Sequence, residues 1–235
     1  MNTVGPELAA LAGLLADETR ATMCLALLDK RAWTAGELAK LCGVAPSTAS
    51  EHISKLIAGG LLAERRQGRH RYVRLANDAV AGLIESMSAH VTPAPVTGLR
   101  QHSASAALAR GRTCYDHLAG RLGVAITDAM SANGLLNTDT GVALTEAGLE
   151  WFSGLGIRFP AAPKRPLVRS CLDWTERRDH LAGVAAAELC RAVLERGWAV
   201  RIGSKRAVKV TPLGIDELHR HLGIGAAELE CVPSR

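Results

Sequence analysis

Apolar residues recur at helical spacing through the start of the chain. PELAALAGLLA (6–16) and DETRATMCLALL (17–28) read as two helices. Asp17 is placed to cap the second, and Leu25, Leu27 and Leu28 supply its buried positions. Thr34 then precedes AGELAKLC (35–42), with Glu37 three residues on as the partner of a capping box. Gly43 ends that helix, and Pro46 opens the next, PSTASEHISKLIA (46–58), at a position where a missing N–H costs nothing. Gly59-Gly60 closes it. The period then changes to two: LLAERRQGRHRYVRLA (61–76) alternates about Gln67-Gly68 and predicts a β-hairpin. Asn77 caps a further apolar helix, DAVAGLIESMSAH (78–90). Helix–turn–helix–hairpin–helix is the order of a winged helix-turn-helix, expected over residues 1–92.

The Pro/Thr-rich stretch VTPAPVTGLRQ (91–101) breaks the pattern and predicts a boundary, with a second domain over 93–235. That part carries an internal repeat, about 117–157 and 180–224. Both copies open on His-Leu-Ala-Gly and close on Leu-Gly-Ile. Between these come a helix-ending glycine (Gly134, Gly197) and a Thr–Gly pair (Thr145/Gly148, Thr211/Gly214). Each copy reads helix, short hairpin, helix, and the two are expected to pack as one pseudo-symmetric domain. FPAAPKRPLVRS (159–170) is an extended connector. The expected fold is mainly α with small β-hairpins, an α+β chain.

Composition supports this. Of the 235 residues 48% are apolar but only 3% aromatic, so the core is built from Leu, Ala and Val, which favours helices. Trp151, Trp174 and Trp198 are expected as core or interface anchors. No apolar run approaches the roughly 20 residues that span a bilayer, and the N-terminus lacks a basic start, so no membrane partner and a cytoplasmic location are expected. In that setting the six cysteines predict thiols, metal ligands or redox groups rather than a disulfide frame.

The net charge of +5 is uninformative until it is placed. Residues 55–74 hold Lys55, Arg65, Arg66, Arg69, Arg71 and Arg74 against Glu64 alone. This basic cluster falls on the end of the second helix of the pair and on the hairpin, where a polyanion would be met. A helix that reads a duplex must offer short polar side chains to the major groove. Ser47, Thr48, Ser50, Glu51 and His52 occupy those turns, while Ala49, Ile53, Leu56 and Ile57 face inward. Lys55 lies where a phosphate would run, and Arg66, Arg69 and Arg71 can reach phosphates or the minor groove. The expected partner is double-stranded DNA.

Residues 15–76 resemble the DNA-binding domain of the ArsR/SmtB repressor family. The resemblance rests on Asp17-Glu18-Thr19-Arg20, Glu37-Leu38-Ala39, Ser50-Glu51-His52-Ile53 and Gly60-Leu61-Leu62, followed by Arg66, Gly68, Arg69 and Tyr72. It implies a homodimer joined through the first and last helices of the domain, a palindromic operator, and repression relieved by an inducer. The metal-sensing members' ligands are not matched. Thr34 and Gly36 stand where their thiolates would be, and the last helix offers Asp78, Glu85 and His90 without their spacing. Cys24 and Cys42 read as core thiols.

Candidate chemistry therefore moves to the second domain. Cys114 and His117 are three apart and would share a helix face, and Cys171 and His180 echo them. Asp173, with Glu176, reads as a helix cap, which would place Cys114 and Cys171 near helix starts that favour thiolate. Pseudo-symmetric packing would bring two thiolates and two imidazoles together as ligands for a transition metal such as Zn. The spacing of nine between Cys171 and His180, against three, opposes this. A thiol redox switch and a purely structural cluster remain open. Two other classes compete with a repressor: an adaptor binding a protein through the wing arginines, and an enzyme using Cys114 and His117. The absence of a phosphate loop or nucleophile elbow disfavours the enzyme, and none is expected.

Overall fold

The computed structural model describes residues 4–68, 70–91, 98–138, 141–163, 165–203 and 206–230. Arg69 of the expected DNA-binding set, Cys231 and most of the 91–101 break lie outside these. The chain packs as two compact units, Met1–Ile84 and Glu85–Arg235.

The first unit begins with α1 (Val4–Leu15) and α2 (Glu18–Ala26). The Asp17 carboxylate caps α2 by accepting from the Arg20 N–H at 2.9 Å. A short strand β1 (Trp33–Thr34) leads into α3 (Ala35–Cys42). Both halves of the predicted capping box form: Thr34 Oγ1 accepts from Glu37 N, and Glu37 Oε2 accepts from Thr34 N at 2.7 Å. Gly43, in the left-handed region at φ 67°, turns the chain out of α3 at no steric cost. α4 (Pro46–Ala58) follows, with Pro46 in its first turn. β2 (Leu62–Gln67) and β3 (His70–Leu75) form the hairpin, and β1 pairs with β3 on its other side, giving the order β1-β3-β2. Leu27, Leu28, Leu38, Ile53, Leu56 and Val73 close the core, whereas Leu25 is exposed. Leu25 lies on the solvent side of α2, so that part of the expected burial is corrected. Cys24 is buried and Cys42 half-buried.

α5 (Asp78–Ala89) starts at the Asn77 cap, which accepts from Val80 N at 3.0 Å, and the unit boundary falls within this helix. The second unit continues with α6 (Leu99–Arg110), β4 (Arg112–Cys114), β5 (His117–Ala119), α7 (Gly120–Ala132), β6 (Leu136–Asn137), β7 (Ala143–Leu144) and α8 (Glu146–Gly154). After the connector come β8 (Arg169–Leu172), β9 (Asp179–Ala182), α9 (Val184–Glu195), β10 (Ala199–Ile202), β11 (Ala207–Val210), α10 (Pro212–Leu222) and α11 (Ala226–Glu230). β10-β11-β4-β5 make one antiparallel sheet, while β6–β7 and β8–β9 are separate hairpins. α7 packs on β9, and α9 packs on β5. Their apolar faces meet around Leu122, Ile126, Met130, Leu189, Val193 and Trp198.

The Thr–Gly pairs have the same work in both places. Thr145 and Thr211 cap α8 and α10, each accepting from the glycine three residues on at 3.0 Å. Those glycines lie against backbone. A Cβ on Gly148 would sit 2.2 Å from the Leu135 carbonyl, and one on Gly214 would sit 1.9 Å from that of Trp198. Trp198 is buried. Trp151 is half-buried and donates its indole N–H to the His221 carbonyl at 3.1 Å, and Trp174 lies over the Arg112 guanidinium.

Candidate functional site

The first candidate surface is on the winged helix-turn-helix. The pattern of α4 sorts its side chains by angle. Ala49, Ile53 and Leu56 are buried, so Ser47, Glu51, Ser54 and Lys55 come out on the opposite, exposed arc, with Ser50 and Thr48 half-buried at its edges. His52 departs from the expected set. Its ring is half-buried, with Nδ1 3.5 Å from Arg20 Nη1 and 3.6 Å from Asp17 Oδ1, and it faces α2 rather than the arc.

The hairpin joins this arc through Arg71, whose Nη1 and Nη2 both lie 3.5 Å from Ser54 Oγ. Arg66 is directly opposite Arg71 across the strands, an arrangement of like charges that costs stability unless something negative intervenes. Glu64 supplies part of that. It pairs with Arg71 and lies 3.8 Å from Arg66, which stays 77% exposed. Two clustered arginines with one carboxylate between them leave excess positive charge beside the serine-bearing arc. The surface is thus polar, short-chained and cationic, the composition that duplex contacts require.

The second candidate is buried in the other unit. Cys114 and His117 face each other across β4–β5, and Cys171 and His180 face each other across β8–β9. All four are buried, and their ligand atoms lie within 4.8 Å of one another. The two imidazoles approach at 3.0 Å between Nε2 atoms. This corrects the helical placement read from sequence. The pairs lie on strands, and Asp173 opens a hairpin turn by accepting from Thr175 N and Glu176 N, with no helix following it. The unequal spacing is no obstacle. A hairpin sets residues opposite one another by register, so a loop of two residues in one and six in the other closes on the same Cys–His pairing.

Around this cluster lie charged groups that support it, Asp116 and Asp173 among them. His117 Nδ1 is 3.3 Å from Asp116, whose other oxygen is paired with Arg165. His180 Nδ1 is 3.5 Å from Asp173, which forms a 2.8 Å ion pair with the fully buried Arg112 and accepts from Gly120 N. Each imidazole thus has a carboxylate behind it, and each carboxylate has an arginine. Glu85 Oε2 lies 3.9 Å from Cys171 Sγ and 3.4 Å from Arg169.

The electrostatics follow from these contacts. Burial opposes charge on His117, but hydrogen bonds with Asp116 and Cys171 outweigh it and lift its pKa to about 9. The hydrogen bond from Cys114, with help from both histidines, holds the Cys171 thiol well below its usual range despite burial. The same bond, together with burial, pushes Cys114 well above the usual thiol range. The polarising agents are therefore hydrogen bonds, not a helix dipole. Burial raises Glu85, while Arg112, the Thr175 hydroxyl and the Gly120 N–H hold Asp173 low against its own burial.

A winged helix-turn-helix with a polar reading helix and a cationic wing defines a DNA-binding protein, and comparison with known proteins agrees. Residues 15–65 match the helix-turn-helix domain family. The chain is 38% identical over 225 residues to the uncharacterized HTH-type transcriptional regulator YdfF of Bacillus subtilis, covering 94% of this chain and 99% of that one. The chain belongs to this family of HTH-type transcriptional regulators. Among solved structures, a homodimeric winged helix-turn-helix DNA-binding domain from Mycobacterium bovis is 28% identical, covering 44% of this chain and 82% of that one, with a TM-score of 0.32. The transcriptional repressor PagR of Bacillus anthracis is 24% identical, covering 35% of this chain and 93% of that one, also at 0.32. No helix among the described residues is long and apolar enough to cross a membrane.

Proposed function

We propose that this regulator is a homodimeric repressor of the ArsR type, with residues 1–92 binding DNA and residues 93–235 receiving the effector. The observation that carries the DNA-binding half is the contact between Ser54 and Arg71, which ties the reading arc of α4 to the wing so that both present on one side. Ser47, Thr48, Ser50 and Glu51 meet base edges, and Lys55, Arg66, Arg69 and Arg71 meet phosphates or the minor groove.

Dimerisation is supported by α1. Its sequence, VGPELAALAGLL, is largely apolar, yet none of its residues is buried and Leu8 is 61% exposed. A helix of that composition is stable in water when another surface covers it. A second copy matches what the ArsR-type resemblance implies for this helix. The effector domain is read as a duplication, supported by the matching Thr–Gly caps, the two Cys–His hairpins and the reciprocal packing of α7 on β9 and α9 on β5. Repression is steric: the dimer spans two half-sites, and the effector stabilises a geometry that no longer does.

The test selects a binding site from a random duplex pool and compares variants on it. Substitution of Ser47 or Ser50 by Ala is expected to change the preferred sequence, while Lys55→Gln weakens all sequences alike. If Ser47 and Ser50 variants select the same site with unchanged affinity, the assignment of α4 as the reading helix fails. A reporter that rises rather than falls with expression of the chain would overturn repression.

A further inference from the structure

We propose that Cys114, His117, Cys171 and His180 form a tetrahedral site for one divalent, thiophilic cation, zinc being the ion that fits, and that the metal staples the two hairpins of the second unit together. The site stands independently of the regulatory reading.

The donor set is the first reason. Two thiolates and two imidazoles in a closed arrangement suit zinc and exclude magnesium and calcium, which take oxygen ligands. Zinc binds nitrogen at about 2.0–2.1 Å and sulfur at about 2.3 Å, so donors at the corners of a tetrahedron stand roughly 3.3 to 3.8 Å apart. The four ligand atoms here lie within 4.8 Å of one another, with the two Nε2 atoms at 3.0 Å, so small side-chain movements bring them onto those corners.

The outer groups are the second reason. A metal-bound imidazole holds its ring by giving its other N–H to a carboxylate. Both Nδ1 atoms face one, Asp116 at 3.3 Å and Asp173 at 3.5 Å. Among the described residues nothing else satisfies His180 Nδ1, which is buried without a hydrogen bond. A ligated ring turned slightly toward Asp173 removes that defect.

Charge is the third reason. Two thiolates and a divalent ion sum to zero, and Asp116 and Asp173 are already neutralised by Arg165 and Arg112. A monovalent ion would leave a net negative charge among groups no more than 7% exposed, which burial penalises. Four protein donors fill the tetrahedron, so no position stays open for water and the site is not built for hydrolysis.

The test uses the full chain, refolded or purified under reducing conditions, with zinc or cobalt(II) alone as probe. Wild type is expected to bind one equivalent per chain, and the cobalt form to show tetrahedral visible bands with a sulfur-to-cobalt charge-transfer band. Cys171→Ser is expected to abolish stoichiometric binding, and Cys42→Ser to leave it intact. Because a ligand variant can fail to fold, Asp116→Asn is measured beside it: one equivalent bound, about 10- to 100-fold more weakly. Folded wild type that takes up no metal, a cobalt spectrum without sulfur ligation, or full-affinity binding by Cys171→Ser would each overturn the site. DNA binding is read separately on a random-sequence duplex, so loss of the metal site and loss of the DNA-binding reading are told apart.

Discussion

Removing the Lys55 charge should flatten the salt dependence of DNA binding by a calculable amount. Lys55 is exposed on α4, and Arg66 and Arg71 stand beside its arc on the wing. If each of the three neutralises one phosphate in each protomer of a dimer, six condensed counterions are displaced. At about 0.9 per phosphate, log K falls against log salt with a slope near −5.4. Between 50 and 200 mM salt that is an affinity loss of about 2,000-fold. Lys55→Gln removes two of the six, so the slope drops to about −3.6 and the loss over the same range to about 150-fold. Fluorescence anisotropy of a labelled random-sequence duplex, titrated at several salt concentrations, reads the slope directly. It requires no operator, because non-specific binding already carries the phosphate contribution. A wild-type slope near zero, or a Lys55→Gln slope equal to wild type, refutes the placement of this surface on DNA. A monomer would show half the slopes, which sedimentation on the same sample distinguishes.

Other perturbations test the remaining structure. Leu8→Glu on α1 should shift the chain from dimer to monomer in sedimentation equilibrium, with its helical content retained. Thr34→Ala deletes the capping box of α3 and should cost about 1 kcal/mol in the urea unfolding of the first unit. Arg112→Met strands the buried Asp173 carboxylate and should destabilise the second unit by about 3–5 kcal/mol, with the Arg112→Met/Asp173→Leu pair losing less. Gly214→Ala drives a methyl into the Trp198 carbonyl and should cost about 1–3 kcal/mol or more, read as a lowered Tm.

The winged helix was legible in the amino acids because its signals are local. Thr34 with Glu37, Gly43, Pro46, Asn77 and the change of period at Leu61 each act within a turn or two of chain, and each sits where the structure uses it. The basic cluster was legible for the same reason, being contiguous. His52 was not. It has the position of a reading residue, and only the approach of α2 with Asp17 and Arg20 draws its ring away. Leu25 likewise shares the character of its neighbours but lies on the exposed side of α2.

The second unit divides the same way, and the dividing line is sequence separation. The chain by itself determined that Cys114, His117, Cys171 and His180 were worth comparing, because His-Leu-Ala-Gly recurs and a thiol precedes each copy. Helical spacing then misassigned the pairs, since three residues apart on a helix and two-residue closure of a hairpin look alike in one dimension. What decided between them was β4 joining a sheet through β11, a strand 95 residues away at Ala207↔Arg112. The packing of β5 against β9 then brought the two hairpins together, and with them Asp116, Asp173 and Arg112 around the cluster. Cross-strand geometry depends on which backbone hydrogen bonds close, and those bonds join segments that no local pattern connects.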